Sequence, residues 1–489
     1  MIKKCLPVLC LIIIGSRAYN SDYRFYHRER VYDLPQRFDG EPPLTRTQWL
    51  CFVLGICTTT IPAPIQSASP NLRLISQWNQ LEFDYATLQD RQHDIDIGLF
   101  TPGTIAPIDV DVFYSPNSSN NEVFVTIPRF VEGIPATLGT VTSKQSDGNP
   151  VIKPYPNWSW HRRSEECHRD RIVSVFRVKV DECGRLWVLD TGKIGEKQLC
   201  SPQLLAFDLN TNQLVHRHEF PADILPIQHL LVTPEVDVRD PNSGCRDTFV
   251  YSADVVGFSL LVHDVANGRS WRVQDKTFYP YPNYGTYNIA GESFELMDGI
   301  LGLSLSPHIP GDDRVLFYHA MSSPTENYVY TSYLRNRTIF EHDPSAAPQI
   351  FQTFPNQRTT QVASEAIDKD GVMFFGLMKD FQIACWNART DYGPKNFDIV
   401  ASDPITLQFP SGIKIIRNKR GQQELWILTS RFQKVATGSL NSREPNFRIQ
   451  AGNVEDLLYG TKCRPKQQHH NQVGGGGYGL YGHGNRLNY

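Results

Sequence analysis

"CGRLWVLDTG", Cys183 to Gly192, is a turn glycine, a short apolar strand, then an acid and a small-residue turn. One such phrase suits any β protein. A series of them at tens-of-residues spacing suits few folds, and here the phrase recurs. "LLAFDLNTNQLVHRHEFP" (Leu204–Pro221) is a strand, an Asp-x-Asn-Thr-Asn turn and another strand, hence a hairpin. "TFVYSADVVGFSLLVHDVANGRSWRV" (Thr248–Val273) repeats the plan, as do "DGILGLSLSPH" from Asp298, "DKDGVMFFGLMKDFQIACWNAR" from Asp368 and "QQELWILTSRFQK" from Gln422. With Glu122–Val141 counted first, there are about six units and no segment of helical period. This predicts an all-β chain, a six-bladed β-propeller rather than a β-solenoid or a pair of sandwiches. "LRLISQWNQLEFDY" (Leu72–Tyr85) stands apart as a lone strand, expected to complete the last blade beside the C-terminal strands and remove an exposed edge. Cys183–Gly192 is expected to be the innermost strand of its blade, with Asp190 at the channel mouth.

The flanks have a different texture. Lys3 and Lys4 precede an apolar run, Leu6–Ile14, and then Gly15-Ser16-Arg17-Ala18, the pattern of a secretory signal over 1–18. A second apolar patch begins at Trp49 inside a leader over 19–70. Both runs are too short to span a bilayer, so no transmembrane segment is expected. The propeller is expected over 71–465. Residues 466–489 are rich in Gly, Tyr, His and Asn and poor in core formers, the composition of a disordered tail.

A formal charge of -3 without a basic run gives no reason to expect nucleic acid. Beyond the leader, six cysteines remain: Cys167, Cys183, Cys200, Cys245, Cys385 and Cys463. An even set behind a signal predicts disulfides, and six cysteines allow fifteen pairings, about which sequence alone is silent. None form a CxxC pair, so no zinc site is expected. Sequons at Asn117, Asn157 and Asn336 predict glycosylation and an extracellular protein.

"RIVSVFRVKVDECGRLWVLDTGKIGEKQLCSPQLLAFDLNTNQLVHRHEFP", with "YNIAGESFELMDGILGLSLSP", "VMFFGLMKDFQIACWN" and "LQFPSGIKI", resembles the insect Yellow / major royal jelly protein family across about residues 71–465. The resemblance implies a secreted six-bladed propeller and the pairs Cys167–Cys245, Cys183–Cys200 and Cys385–Cys463. Cys183 and Cys200 flank one strand-turn unit, which agrees with the second pair.

No His-Glu-x-x-His, Gly-x-Ser-x-Gly or P-loop pattern occurs, and no cofactor or metal is expected. His216 and His218 lie two apart on a strand, so they share a face; a solvated or hydrogen-bonded strand face explains them better than half a metal site. His469 and His470 in the tail offer only weak metal binding.

Propellers place function where strand ends and loops surround the channel. The candidates there are Asp190, Asp254, Glu292, Glu365, Asn387 and Ser430, with Phe294, Phe381 and Phe432 as aromatic walls. Each polar group has a plainer reading as a turn or cap. Together they would suit a small aromatic amine. In the family, salivary members bind biogenic amines, and an Asn-Arg-Phe tripeptide contributes. Here that stretch is Ser430-Arg431-Phe432, and serine is a shorter, differently aimed group. Other members are assigned dopachrome conversion, a proton shift for which Glu365 or Asp254 would serve as acid or base. Still others resemble eggshell or cuticle proteins, and Tyr478, Tyr481 and Tyr489 in a Gly-rich tail suit oxidative coupling to extracellular matrix proteins. The expected function is therefore in insect pigmentation or cuticle and eggshell maturation. The alternatives are a non-enzymatic amine binder and a cross-linked matrix component.

Overall fold

The computed structural model describes residues 71–116, 121–162 and 167–465. The signal, the leader, Asn117 and the tail with its histidines and tyrosines lie outside them.

Six antiparallel sheets follow one another along the chain, each of four strands except the first, which gains a fifth. Named from the channel outward, blade one is Asp109–Phe113, Glu122–Thr126, Leu138–Ser146 and Asn149–Pro154, with Glu82–Phe83 added in parallel. Blade two is Val175–Val180, Arg185–Asp190, Gln203–Asp208 and Gln213–Glu219. Blade three runs Leu231–Val238, Thr248–Asp254, Ser259–Asp264 and Arg269–Val273. Blade four is Ile300–Leu305, Val315–Ala320, Asn327–Tyr330 and Gln352–Thr353. Blade five is Glu365–Ile367, Val372–Leu377, Gln382–Asn387 and Phe397–Ser402. Blade six takes Pro410–Arg417, Gln423–Thr429 and Phe447–Asn453 from the C-terminal end and closes with Arg73–Trp78. Trp78 pairs with Phe447, so the N-terminal strand completes the last blade as expected and covers its edge.

The innermost strands contact one another in a ring. Six apolar clusters lie one between each pair of neighbouring blades, and a seventh lies at the channel mouth. Cys183–Gly192 carries a second strand, not the innermost one. Arg185–Asp190 lies between Val175–Val180 and Gln203–Asp208. A second strand is packed on both faces by the adjacent blades, and Leu186 to Asp190 are all buried. The innermost strands of blades one and two instead alternate charge with apolar residues, as "DVDVF" and "VFRVKV". Their charges cap the free strand edge beside them. Asp109 accepts from the Val178 N–H (3.2 Å) and Asp111 from the Val180 N–H (2.8 Å).

The disulfides join Cys167 to Cys200, Cys183 to Cys245 and Cys385 to Cys463. The pairs Cys167–Cys245 and Cys183–Cys200 implied by the resemblance are therefore exchanged. Cys183 and Cys200 lie beyond opposite ends of the strand Arg185–Asp190, which spans roughly 20 Å, too far for one bridge. Cys183 instead staples the first turn of blade two to that of blade three, beside Arg185, whose guanidinium donates to the Cys245 carbonyl (3.0 Å). Replacing Cys183 and Cys245 together with serine is expected to cost about 2–4 kcal/mol in urea unfolding. Non-reducing peptide mapping checks the connectivity.

His216 and His218 share a face, but in an interblade network with blade three. His216 Nε2 meets His263 Nε2 (2.9 Å), and Ser270 Oγ joins His263 Nδ1 (2.9 Å) to His218 Nε2 (2.8 Å). Asn157 and Asn336 are exposed. No helix among the described residues is long and apolar enough to cross a membrane.

Candidate active site

A hairpin, Thr286–Ile289 with Glu292–Glu295, precedes the innermost strand of blade four, and a short helix, Phe432–Thr437, follows the second strand of blade six. They meet over the channel. Tyr287 stacks on Phe294 with centroids 5.0 Å apart, and Phe294 reaches Phe432 at 6.3 Å. Glu292 accepts from Thr437 Oγ1 (2.7 Å) and Ser439 Oγ (2.5 Å), and these hydroxyls hold its carboxyl below the ordinary glutamate range. It acts as a latch between the two elements.

Beneath them is a cavity of about 80 Å³ to which all six blades contribute. Its walls include Phe130, Phe176, Phe409, Phe432, Leu296 and Met321. Three polar side chains interrupt this surface: Asp298, Arg177 and Ser411. Asp298 sits between the hairpin and the strand Ile300–Leu305. Its N–H donates to Ser322 Oγ (3.1 Å), and its carbonyl accepts from the Ser322 N–H (3.1 Å). Those bonds fix the backbone and leave the carboxylate without a hydrogen-bond donor among the described residues. Burial alone pushes this carboxyl up to about 7.

The acids named from sequence are engaged elsewhere. Asp190 accepts from the N–H groups of Val173 (2.9 Å), Ser174 (2.8 Å) and Gly192 (3.1 Å) and from Gln203 Nε2 (3.1 Å). Gly192 has φ +68°, and a Cβ there would lie 2.0 Å from the Cys200 carbonyl oxygen. The closing Asp-Thr-Gly is thus a packed turn. Asp254 caps the Leu230 and Gly257 N–H groups and accepts from Ser259 Oγ. Asn387 spans the Cys463 carbonyl and the Arg389 N–H on the third strand of blade five. Ser430 is buried beside the pocket with an unpartnered Oγ, and Arg431 turns away to Gln408, Pro445 and Asn446. Phe432 lines the cavity, whereas Phe294 and Phe381 belong to the apolar cluster around it.

Glu365 lies in a buried ion cluster, not against the cavity. His319 Nδ1 is 3.0 Å from Glu365 and 3.1 Å from Glu326, while Nε2 faces the Val362 carbonyl (3.1 Å). Arg358 pairs with Glu326 and donates to Tyr392 Oη (2.9 Å). Burial and then repulsion from Glu326 push the Glu365 carboxyl up. For His319, burial and Arg358 oppose the charge, but the two carboxylates outweigh them and hold the imidazole above its ordinary range. The ring packs against Gly302, where a Cβ would lie 2.2 Å from it. The ligand atoms of His319, Glu326 and Glu365 lie within 4.8 Å of one another. The carboxylates already have internal partners there, Arg358 for Glu326 and His319 Nδ1 for both.

A larger cleft, about 560 Å³, lies on the flank of blade one between Tyr85, Asp90, Asp94, Glu132, Trp158 and His161. Its buried polar groups are spent internally. Tyr85 Oη donates to Asp94 (2.9 Å), Trp158 Nε1 to the Asp84 carbonyl (3.0 Å), and the Arg129 guanidinium to carbonyls including those of Val173 and Pro135. His161 Nε2 bonds the Tyr155 carbonyl (2.8 Å), and burial first, then Arg129, lowers its pKa to about 3. The unfolded imidazole takes up a proton below about pH 6.5 while the folded one does not. Stability is therefore whole above that pH and falls as pH drops from 6.5 toward 3, by on the order of a few kcal/mol from this residue. Urea midpoints across that window should show a shallower acid slope in His161→Gln.

The family model described as Major royal jelly protein matches residues 173–463, which is more than half the chain. The chain belongs to the Yellow / major royal jelly protein family. Major royal jelly protein 9 of Apis mellifera is 36% identical over 428 residues, covering 85% of this chain and 96% of that protein. A dopaminechrome tautomerase of Drosophila melanogaster is 30% identical over 415 residues, covering 83% and 87%. Protein yellow of Drosophila madeirensis is 33% identical over 393 residues, covering 79% and 66%. The matched stretch contains Arg177, Asp298 and Ser411, so the whole polar part of the cavity lies within the family's shared region.

Proposed function

We propose that this protein acts in insect pigment and cuticle chemistry, by isomerising cyclised ortho-quinones of the aminochrome class in its channel cavity, with Asp298 carrying the proton. One observation carries the reading: a carboxyl with no internal partner, pushed up to about 7, in an aromatic cavity shared by six blades. A general base works best with a pKa near the working pH, and Asp298 has it through desolvation alone. The likeness to a dopaminechrome tautomerase supports the substrate class. The reaction is internal to the substrate, so a positioned acid or base suffices without a cofactor. Phe130, Phe176, Phe409 and Phe432 supply faces for a flat ring.

The cavity is smaller than the roughly 300–1,000 Å³ of most ligand pockets. Substrate entry therefore requires the hairpin to lift from the helix, breaking the Glu292 contacts. Those hydroxyl contacts are exposed and worth little each, so the cost of opening lies mainly in parting Phe294 from Phe432. The protein works outside the cell on this reading; three disulfides, the signal-like leader and two exposed sequons support it.

The test is dopaminechrome decay followed by absorbance with purified protein. Conversion should exceed that of a heat-denatured control and fall to the control in Asp298→Asn. Equal rates for native and denatured protein would overturn the assignment.

A further inference from the structure

Like Asp298, the other two polar groups of the cavity have unmet hydrogen-bonding capacity. Arg177 is 3% exposed and Ser411 is 1% exposed. Arg177 Nη2 donates to the Ala363 carbonyl (2.9 Å) and the Ser411 carbonyl (2.8 Å), which anchors the guanidinium across the inner strands of blades two, five and six. Its Nε has no partner, and neither has Ser411 Oγ. Leaving such donors buried and unmet is costly, and a ligand acceptor that reached them would recover that cost.

The charges around Arg177 are Asp109 and Glu365, which act on it through space. Asp109 is already paired with Lys414 (2.9 Å) and Glu365 with His319 (3.0 Å). No ion pair joins Arg177 to Asp298, and the Asp298 carboxyl is perturbed by burial alone. The cavity thus presents a cation and an acid that do not neutralise each other. A simple arylalkylamine would satisfy Asp298 and leave the Arg177 Nε–H and Ser411 Oγ unmet. A ring bearing oxygen acceptors satisfies both ends.

We propose that Arg177, assisted by Ser411, binds the quinone oxygen of the substrate and stabilises the oxyanion formed there, so that the cavity selects ortho-quinones and catecholates over monoamines. This rests on the isomerase reading for its chemistry, though the selectivity stands on the cavity itself. The Asp298 carboxylate takes a proton from the saturated ring carbon conjugated to the carbonyl. The C–H pair becomes a double bond to the ring, the ring double bond shifts one position to the carbonyl carbon, and the carbonyl π pair moves onto oxygen, facing Arg177. That oxygen then takes a proton from water and Asp298 returns its own to water, giving a quinone methide. A second shift of the same kind, from the neighbouring carbon to the other oxygen, restores the aromatic ring as a catechol. Atoms and electrons balance within the substrate, and no oxidant enters.

The test uses 4-nitrocatechol, whose phenolate absorbs visibly and which needs no turnover. Bound to the full-length protein, its phenol should ionise at least about one pH unit lower than in water, a tenfold shift toward phenolate. The shift should vanish in Arg177→Gln, shrink in Ser411→Ala, which keeps the arginine, and persist in Asp298→Asn. Tryptamine, an arylalkylamine without a ring oxygen, should bind at least tenfold more weakly than nitrocatechol to the wild type. An unshifted phenol, a shift surviving in Arg177→Gln, no binding, or preferred tryptamine binding each overturn the proposal. A persistent shift with no dopaminechrome conversion would retain the anion site and remove only the isomerase reading. Circular dichroism of Arg177→Gln and the conservative Arg177→Lys separates a folding defect from a lost contact, because lysine restores charge and part of the shift.

Discussion

Asp298→Asn is expected to lower dopaminechrome turnover by about 10²–10⁴-fold, the usual contribution of a positioned general base. The substitution keeps shape and removes only the ability to accept a proton. No donor is orphaned, because the carboxylate accepts no hydrogen bond from the described residues. The thermal midpoint should therefore hold or rise slightly, since a raised carboxyl pKa means that ionised Asp298 costs stability at neutral pH. The pH profile provides a second readout. The active species is the carboxylate, so kcat/KM should climb as pH rises through about 7 and then level off. A flat profile across that range, or an active Asp298→Asn, would place the proton transfer on another group.

Arg358→Met should give the largest stability loss. It removes one of two cations facing Glu326 and Glu365, leaving His319 alone against two carboxylates in a fully buried site. Breaking a buried pair by deleting one partner costs about 3–5 kcal/mol. The loss should appear as a lower urea midpoint with an unchanged slope. Glu326→Gln in the same chain removes the orphaned charge and should recover much of the loss. A double variant no better than Arg358→Met would show that the arginine acts through its bonds to the Thr325 carbonyl and Tyr392 instead.

The repeat was legible because each blade carries the same turn-strand-turn phrase, and the closing strand because Leu72–Tyr85 had no partner of its own. The layer within a blade was not. Leu186–Leu189 is uniformly apolar because both its faces are packed, whereas the channel strand beside it reveals itself by alternating cations, Arg177 and Lys179. That alternation was the available sign of the site. The disulfides turned on the same point. Two cysteines flanking a strand are close in sequence but lie at opposite ends of a rigid element.

The candidate acids fared unevenly for a physical reason. Asp190 and Asp254 end strands where neighbouring N–H groups need caps, so turn geometry consumes them. Asp298 stands in an Asp-Gly pair that reads as an ordinary turn, yet its own backbone is held by Ser322 and its carboxylate is left to the cavity. Sequence identifies a capping aspartate only through local donors such as the Gly192 N–H, whereas two other donors to Asp190, Val173 and Ser174, lie outside its own turn.

The most direct test of the channel assignment is a crystal soaked with 5,6-dihydroxyindole, the catechol product of dopaminechrome isomerisation. The ring should lie among Phe130, Phe176, Phe409 and Phe432, with one oxygen at the Arg177 guanidinium and a ring carbon toward Asp298. Density instead in the larger cleft beside Tyr85 and Trp158, with the channel cavity unchanged, would contradict the account.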